Sequence, residues 1–287
     1  MRCKMRLILT TLIVLITTMV SAQDQPVQEP PNEEVEPWIH SWAINLNGNQ
    51  ASYRNWSNGG VNSVAFLASS LFRSKYTAEK YSNVSKVNLR FGQVNQDGLG
   101  IQKTEDIIRL SNKTDYFIGN SQLSAFLEVA FRTQFTEGFD GDGVLISDFM
   151  SPGFFTESFG LSYQPVDYFS GQVGLGLKQT FVETDGLDQF YGLGEDEDIR
   201  SEGGLTLAFN IEKELVKNFT YMTEFNSFTN LLIPVSSTDI FMTNSFVGKI
   251  NDFMSSSIEL SFIYDDDFNS EIQIKQVIAI GFNLIIL

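Results

Sequence analysis

Cysteine and histidine are almost missing from this sequence: the single cysteine is Cys3 and the single histidine is His40. One cysteine excludes a disulfide framework, and its place ahead of the first apolar run is wrong for lipid attachment. One histidine gives imidazole-dependent hydrolases a single candidate base. His40 opens the first strand, where it reads as an interfacial residue, so such chemistry is disfavoured. Positive charge is also scarce, with 19 Lys+Arg against 35 Asp+Glu and a formal net charge of −16. That balance argues against nucleic acid and against an anionic membrane surface as partners. Four of the 7 prolines fall in residues 23–37, and Pro152, Pro165 and Pro234 fall in expected loops, where they break no ladder. No helix-length apolar segment follows residue 22. A chain of this kind enters a membrane only as a closed barrel, the other structure that satisfies every backbone group in lipid.

What is present begins with a processing signal. Arg2, Lys4 and Arg6 precede an apolar run at residues 7–20, and Val20-Ser21-Ala22 offers small residues for cleavage before Gln23. Residues 1–22 are therefore predicted to be a signal peptide cleaved near Ala22, leaving a mature chain of charge about −19. Residues 23–37 are rich in Pro and Glu and read as a disordered periplasmic tail. The fold is left to residues 38–287.

Residues 123–135 organise that region. Leu123, Ala125, Leu127, Val129, Phe131, Thr133 and Phe135 share one face, and Ser124, Phe126, Glu128, Ala130, Arg132 and Gln134 share the other. The run is about twice an ordinary strand and suits a tilted bilayer-spanning strand of about 9–11 residues. Similar runs at 39–48, 61–72, 80–93, 105–115, 120–137, 153–164, 168–182, 200–213, 217–230, 239–250, 254–265 and 271–287 predict twelve strands. Glu157 and Asn244 break the alternation, which a bulge or a rim position would explain. Long connections (49–60, 92–104, 138–152, 183–199, 231–238, 266–270) alternate with short ones (116–119, 165–167, 214–216, 251–253), with 73–79 intermediate. The expected fold is an all-β, transmembrane, antiparallel up-and-down barrel of about twelve strands, with long loops outside and tight turns at the periplasm. Tyr163, Tyr168, Phe169, Phe219 and Tyr221 gather at the short-turn ends, as an aromatic girdle does.

Short motifs stand at the strand ends: Asn55-Trp56 with Gly59-Gly60, Lys103-Thr104 with Asp106, Thr133-Gln134, Asp148 with Pro152, and Tyr264-Asp265-Asp266. In this order they resemble an uncharacterised family of Gram-negative outer-membrane barrels, domain of unknown function 3078, over most of the chain after the tail. The resemblance implies location and fold but no activity. Physically, Trp56 and the paired glycines suit a tight turn, and Lys103 and Asp106 suit an ion pair at a loop mouth. The terminal run Gly281-Phe282-Asn283-Leu284-Ile285-Ile286 is similar to the signal read by the barrel-insertion machinery, with aliphatic residues replacing its aromatic ones. Expected partners are thus that machinery, outer-membrane lipid and lipopolysaccharide.

Parity places Lys86, Arg90, Arg109, Lys113, Arg132, Lys178, Lys249 and Lys275 on the lumen wall, opposed by Glu128, Glu212, Glu224 and Glu259. Arg109 and Lys113 are the candidate partners of Glu128. An excess of wall cations beneath acidic loops leaves two expectations: a wet lumen that favours anions, or loops folded inward over the wall. No cofactor is expected. Asp140-Gly141-Asp142-Gly143 begins like a calcium loop, but Val144 and Leu145 occupy its next two positions. Residues 195–198 and 265–267 offer only weak calcium or magnesium ligation. No catalytic residues are selected, although paired carboxylates are plentiful. The expected function is a narrow pore or small-molecule transporter; the alternative is a non-conducting barrel whose acidic loops bind a partner, polysaccharide or divalent cations.

Overall fold

Side chains that alternate with period two give a sheet two chemically different faces, and here the sheet closes so that one of them points inward. The computed structural model describes residues 37–54, 60–119, 122–194, 197–232, 238–265 and 269–286. The signal segment and all of the tail but Pro37, together with Asn55, Trp56, Gly59 and Asp266, lie outside these residues. The strands are β1 (Trp38–Ala51), β2 (Ser63–Thr77), β3 (Tyr81–Gln96), β4 (Gly100–Ile118), β5 (Leu123–Thr133), β6 (Gly138–Phe139), β7 (Leu145–Ser147), β8 (Gly153–Val166), β9 (Phe169–Phe181), β10 (Ile199–Val216), β11 (Phe219–Asn230), β12 (Thr238–Lys249), β13 (Met254–Asp265) and β14 (Asn269–Ile285). Twelve of them form a closed antiparallel barrel, and β6 and β7 form a separate small hairpin. The seam between β1 and β14 pairs only from Ala43↔Ile285 to Asn47↔Gly281, whereas β1 pairs with β2 along its whole length.

Tight turns at 78–80, 119–122, 167–168, 217–218 and 250–253 mark one end of the barrel. The other end carries the connections 52–62, 134–152, 182–198 and 231–237. Two connections differ from the sequence reading. The expected long loop at 92–104 is a turn of residues 97–99, because pairing continues as Val94↔Gln102 and Asn95↔Ile101 after apolar alternation has ended. Gly98 and Gly100 take the left-handed φ values of +89° and +73° that this reversal needs. Likewise β2 runs on to Thr77, so the 73–79 connection shrinks to 78–80. In both places polar rim residues hide the strand ends from a pattern of hydrophobicity.

Register partners share a face, so the pairings sort the side chains. The outer face carries Leu127, Phe159, Leu175, Leu205 and Leu207, and on β14 Ile278, Phe282 and Leu284 are 60–68 % exposed. Apolar-out and polar-in reverses the pattern of a soluble sheet. Near the tight-turn end the outer face is aromatic: Trp38 lies 4.9 Å from Tyr76, Tyr76 lies 5.6 Å from Tyr81, and Tyr221 lies 4.9 Å from Phe246. His40 belongs to this band, stacked between Trp38 at 5.7 Å and Phe72 at 6.3 Å.

The two untidy positions prove to be outward-facing without any bulge. Asn244 accepts hydrogen bonds from the Tyr221 hydroxyl (2.9 Å) and the Thr223 hydroxyl (3.1 Å), which satisfies a polar group on an apolar surface. Glu157 stands between Val129 and Leu177 on the outer face. Asn83, Ser85, Asn112 and Thr114 likewise bond one another across β3 and β4 on the outside.

Candidate functional site: an interior charge lattice beneath a folded loop cap

Inward-facing charges on opposite walls meet in the middle of the barrel. Arg90 on β3 reaches Glu259 on β13, with its two terminal nitrogens 3.1 and 3.2 Å from the carboxylate oxygens. Lys275 on β14 donates to both oxygens of Glu105 on β4, at 3.1 and 2.8 Å. Arg90 and Glu105 approach to 3.5 Å, which joins the two pairs into one group. Arg109 on β4 pairs with Glu224 on β11 at 2.7 Å. Apart from β3–β4, none of these strand pairs is adjacent in the wall, so the Arg90–Glu259, Glu105–Lys275 and Arg109–Glu224 contacts span the interior. Each joins β3 or β4 to the stretch β11–β14, so these two walls lie close enough for side chains to touch.

Burial of the charges changes along the axis. Toward the loop end the Glu105, Glu202 and Asp239 side chains are 5 %, 6 % and 7 % exposed. Deeper in, Arg109 and Glu224 are 39 % and 45 % exposed. Lys178 binds both Asp239 and Glu202, and Arg200 binds Glu202 at 2.6 Å, so buried charge at the loop end is matched by opposite charge.

Glu128 is not held by either of its expected partners. It accepts from the Gln172 amide at 2.9 Å, although Lys113 stands directly opposite in register. Lys113 turns instead to Asp115 at 3.2 Å and to the Ser162 hydroxyl at 3.0 Å, with its ammonium 5.3 Å from the centre of the Phe126 ring. Phe126 fits because Gly174 faces it; a Cβ added to that glycine would stand 2.3 Å from the Phe159 carbonyl oxygen and 3.1 Å from the Phe126 ring. Lys86 follows the inner parity of Arg90. Lys249 and Glu212 also carry inner parity, but at the tight-turn rim, where Lys249 bonds Asp252 at 3.0 Å.

The supposed excess of wall cations is corrected by anions absent from the sequence-derived set: Glu105, Asp115, Glu202 and Asp239. Glu105 was legible in principle, because it stands four residues before Arg109 on the same face. It sits beside a bulge, where Thr104 is the extra residue opposite Gly92 and Gln93, and that shift blurs parity at the strand end.

Three of the sequence motifs converge on the loop end of β4, β5 and β8. The Asp106 side chain, 2 % exposed, accepts from Lys103 Nζ (3.0 Å), Phe135 N (2.7 Å), Thr136 N (3.0 Å) and the Thr136 hydroxyl (3.0 Å). Lys103 also donates to the Thr136 carbonyl at 2.9 Å, and so does the Gln134 amide at 3.1 Å. Thr133 accepts from Met150 N and donates to the Pro152 carbonyl, at 2.9 and 3.1 Å. Asp148 takes the Thr184 hydroxyl at 3.2 Å, and Ser151 accepts from Glu183 N and Thr184 N at 2.9 and 2.8 Å. These bonds tie the 134–152 connection to the 182–198 connection. Val182, Leu187 and Leu193 are buried where the two meet, with Leu145, Phe190 and Tyr191 packed against them. The Tyr191 hydroxyl donates to the Ile146 carbonyl at 2.7 Å, and burial, reinforced by Asp265, pushes its pKa up to about 12.

The apparent calcium loop is a hairpin tip: Asp140 accepts from Asp142 N and Val144 N at 3.0 and 2.8 Å, and Gly143 takes a φ of +80°. Among the described residues no three acidic, histidine or cysteine side chains converge as a metal site. Tyr264 ends the outer face of β13, paired with Ile240, and Asp265 lines the interior cavity.

Comparison with known proteins adds a family and several structural likenesses. Over 90 % of this chain and 99 % of the other, the fold resembles an outer membrane channel from Pseudomonas putida F1, with 9 % identity and a TM-score of 0.42. It also resembles the translocator domain of the autotransporter NalP from Neisseria meningitidis (10 % identity, 86 % and 87 % covered, TM-score 0.35) and the KdgM porin (12 % identity, 84 % and 98 % covered, TM-score 0.35). At these values the likeness extends to neither solute nor mechanism. No curated protein matches the sequence. The family model described as "Protein of unknown function (DUF3078)" matches residues 48–139, a stretch that holds three of the motif groups whole, so the resemblance read from the motifs stands over that part of the chain.

Proposed function

We propose that this chain is an integral outer-membrane barrel of a Gram-negative bacterium and acts as a narrow pore for small polar solutes. In this reading residues 1–22 are removed on export, both termini lie in the periplasm, and the capped end faces out. The apolar outer face supports contact with lipid, with the aromatic band at one interface. Lipopolysaccharide and the barrel-insertion machinery are the partners this placement brings. The observation that carries the reading is the set of ion pairs joining opposite walls, Arg90–Glu259 and Glu105–Lys275. Such pairs divide the lumen into gaps suited to water and solutes of a few heavy atoms, and their charge keeps those gaps wet.

A second reading, a non-conducting barrel whose acidic loops hold a partner, polysaccharide or divalent cations, is favoured by the packed cap over Val182, Leu187 and Leu193. Swelling of liposomes that contain the refolded protein separates the two. The pore reading expects swelling in glycine or urea and none in raffinose. Absence of swelling in every solute would overturn it and leave the non-conducting barrel.

A further inference from the structure

Pairing between β1 and β14 stops at Asn47↔Gly281, although β1 continues to Ala51 and β14 begins at Asn269. Below that point apolar outer side chains face each other across the seam, Ile44 with Leu284 and Leu46 with Phe282. One step further, the same register would set Gly48 against Ile280 and Gln50 against Ile278, which offers no apolar pair to hold the strands together. A Cβ added at Gly281 would stand 2.8 Å from the Leu46 carbonyl oxygen, whereas one added at Gly48 would meet nothing of β14 within 4 Å. The two strands part here, on the loop side of the barrel.

Parting leaves a free edge. Ile286 N donates to the Trp42 carbonyl and Asn283 N to the Phe253 carbonyl, so even-numbered residues of β14 aim their N–H and C=O at β1 and odd-numbered ones at β13. Regular pairing with β13 carries this alternation up to Gln273. Ile274, Gln276 and Ile278 therefore aim backbone groups at β1, and no described residue pairs with them there. Their level is that of lipid, because Ile274, Ile278 and Ile280 are 60–68 % exposed on the outer face. A bilayer tolerates unpaired backbone only where it meets protein or water. A second copy in the same membrane is related by an axis along the bilayer normal, and strands tilted by about 35–45° then cross instead of pairing. Water is favoured by the side chains at the seam. Asn47 and Asn49 of β1 and Gln273 of β14 have inner parity, and Gln50 and Gln276 are exposed polar residues on the outer face.

From this geometry we infer that the upper seam between β1 and β14 is a water-filled slit through the wall, by which a single-chain amphiphile with an uncharged hydroxylated head, such as a monoacylglycerol, moves between lumen and bilayer. The amides supply donors and acceptors for hydroxyl groups. Lys275 beside them is committed to Glu105 at 2.8 Å, so the slit selects no charged head. The alkyl chain stays in lipid along Ile274, Ile278 and Ile280. The inference rests on the proposed placement of the barrel in a membrane and not on conduction by its lumen.

Amide hydrogen exchange, read by NMR on the barrel in lipid nanodiscs, tests the slit. The Gln276 and Ile278 amides are expected to exchange at least about a hundredfold faster than those of Val277 and Ala279, which face β13. Photolabelling with a monoacylglycerol that carries a diazirine in its chain tests the solute. Residues 47–50 and 274–280 are expected to take several-fold more label than the belt around Leu127 and Leu175. The Asn47→Leu, Asn49→Leu double variant, which strips amides from the slit and keeps the backbone, is expected to lose that enrichment. Should it fail to fold, competition on wild type decides: unlabelled monoacylglycerol is expected to suppress labelling of the seam, and an equal excess of diacyl phospholipid to leave it. The inference is overturned by equal protection of the four amides, which would mean a closed wall or a strand of another protein on this edge. It is also overturned by label spread evenly around the belt, by a double variant labelled like wild type, or by phospholipid that competes as well as monoacylglycerol. Labelling of the seam in a barrel that passes no solute would keep the slit and remove the pore.

Discussion

Asp106 gathers four donors onto one buried carboxylate, and three of them come from residues 135 and 136, about thirty positions downstream. A buried acceptor with so many partners fixes the path by which the chain leaves β5 and enters the cap. Hydrogen bonds to a charged group contribute about 1.5–3 kcal/mol each when net terms are counted, and leaving their donors unsatisfied costs more. Asp106→Ala is therefore expected to loosen the 134–152 connection by about 2–3 kcal/mol without opening the barrel wall. Limited proteolysis in detergent checks this: cleavage within 134–152 should accelerate while the barrel keeps its heat-modifiable migration. Equal cleavage of variant and wild type would remove Asp106 from this role. The Lys103–Asp106 pair was legible from spacing alone. The grip on residues 135 and 136 was not, because it depends on the stagger of β4 against β5, which no local pattern reports.

At the scale of elements, β5 carries the contrast on which the whole reading depends. Leu127 is 56 % exposed on the outer face, while its neighbour Glu128 faces inward to Gln172. An arginine at Leu127 would stand in lipid, at a cost of about 2–4 kcal/mol near the bilayer midplane, whereas Glu128→Gln keeps an inward polar group. Leu127→Arg is expected to lower the yield of heat-modifiable barrel in bilayers, and Glu128→Gln to leave it nearly unchanged. Equal yields would reverse the face assignment. Period-two alternation was enough to locate all twelve barrel strands, because a strand between apolar and polar surroundings must alternate. Strand ends were less legible. At 93–96 and 100–103 only Val94 and Ile101 are apolar, and backbone pairing continues where the alternation is too weak to mark it. The β6–β7 hairpin escaped notice for the same reason, being two and three residues long.

Over the whole molecule the connections give the barrel its two unlike ends. Tight turns at one end and the folded cap at the other give the barrel a direction. An epitope inserted in the 182–198 connection is expected to be labelled on intact cells, and one at the 217–218 turn only after the outer membrane is opened. Labelling in the opposite sense would invert the barrel. The charge pattern was less legible: Glu105, Asp115, Glu202 and Asp239, which pair with Lys275, Lys113 and Lys178, were absent from the parity-derived set, so the balance inside looked more positive than the ion pairs make it.

The central claim is that pairs of side chains from opposite walls set the width of the lumen. Single-channel conductance in planar bilayers tests it most directly, comparing wild type with the Arg90→Ser, Glu259→Ser double variant. That variant removes a matched pair and leaves Glu105 with Lys275. Small conductance steps are expected for wild type and steps several-fold larger for the variant. Equal steps in the two proteins would contradict the claim.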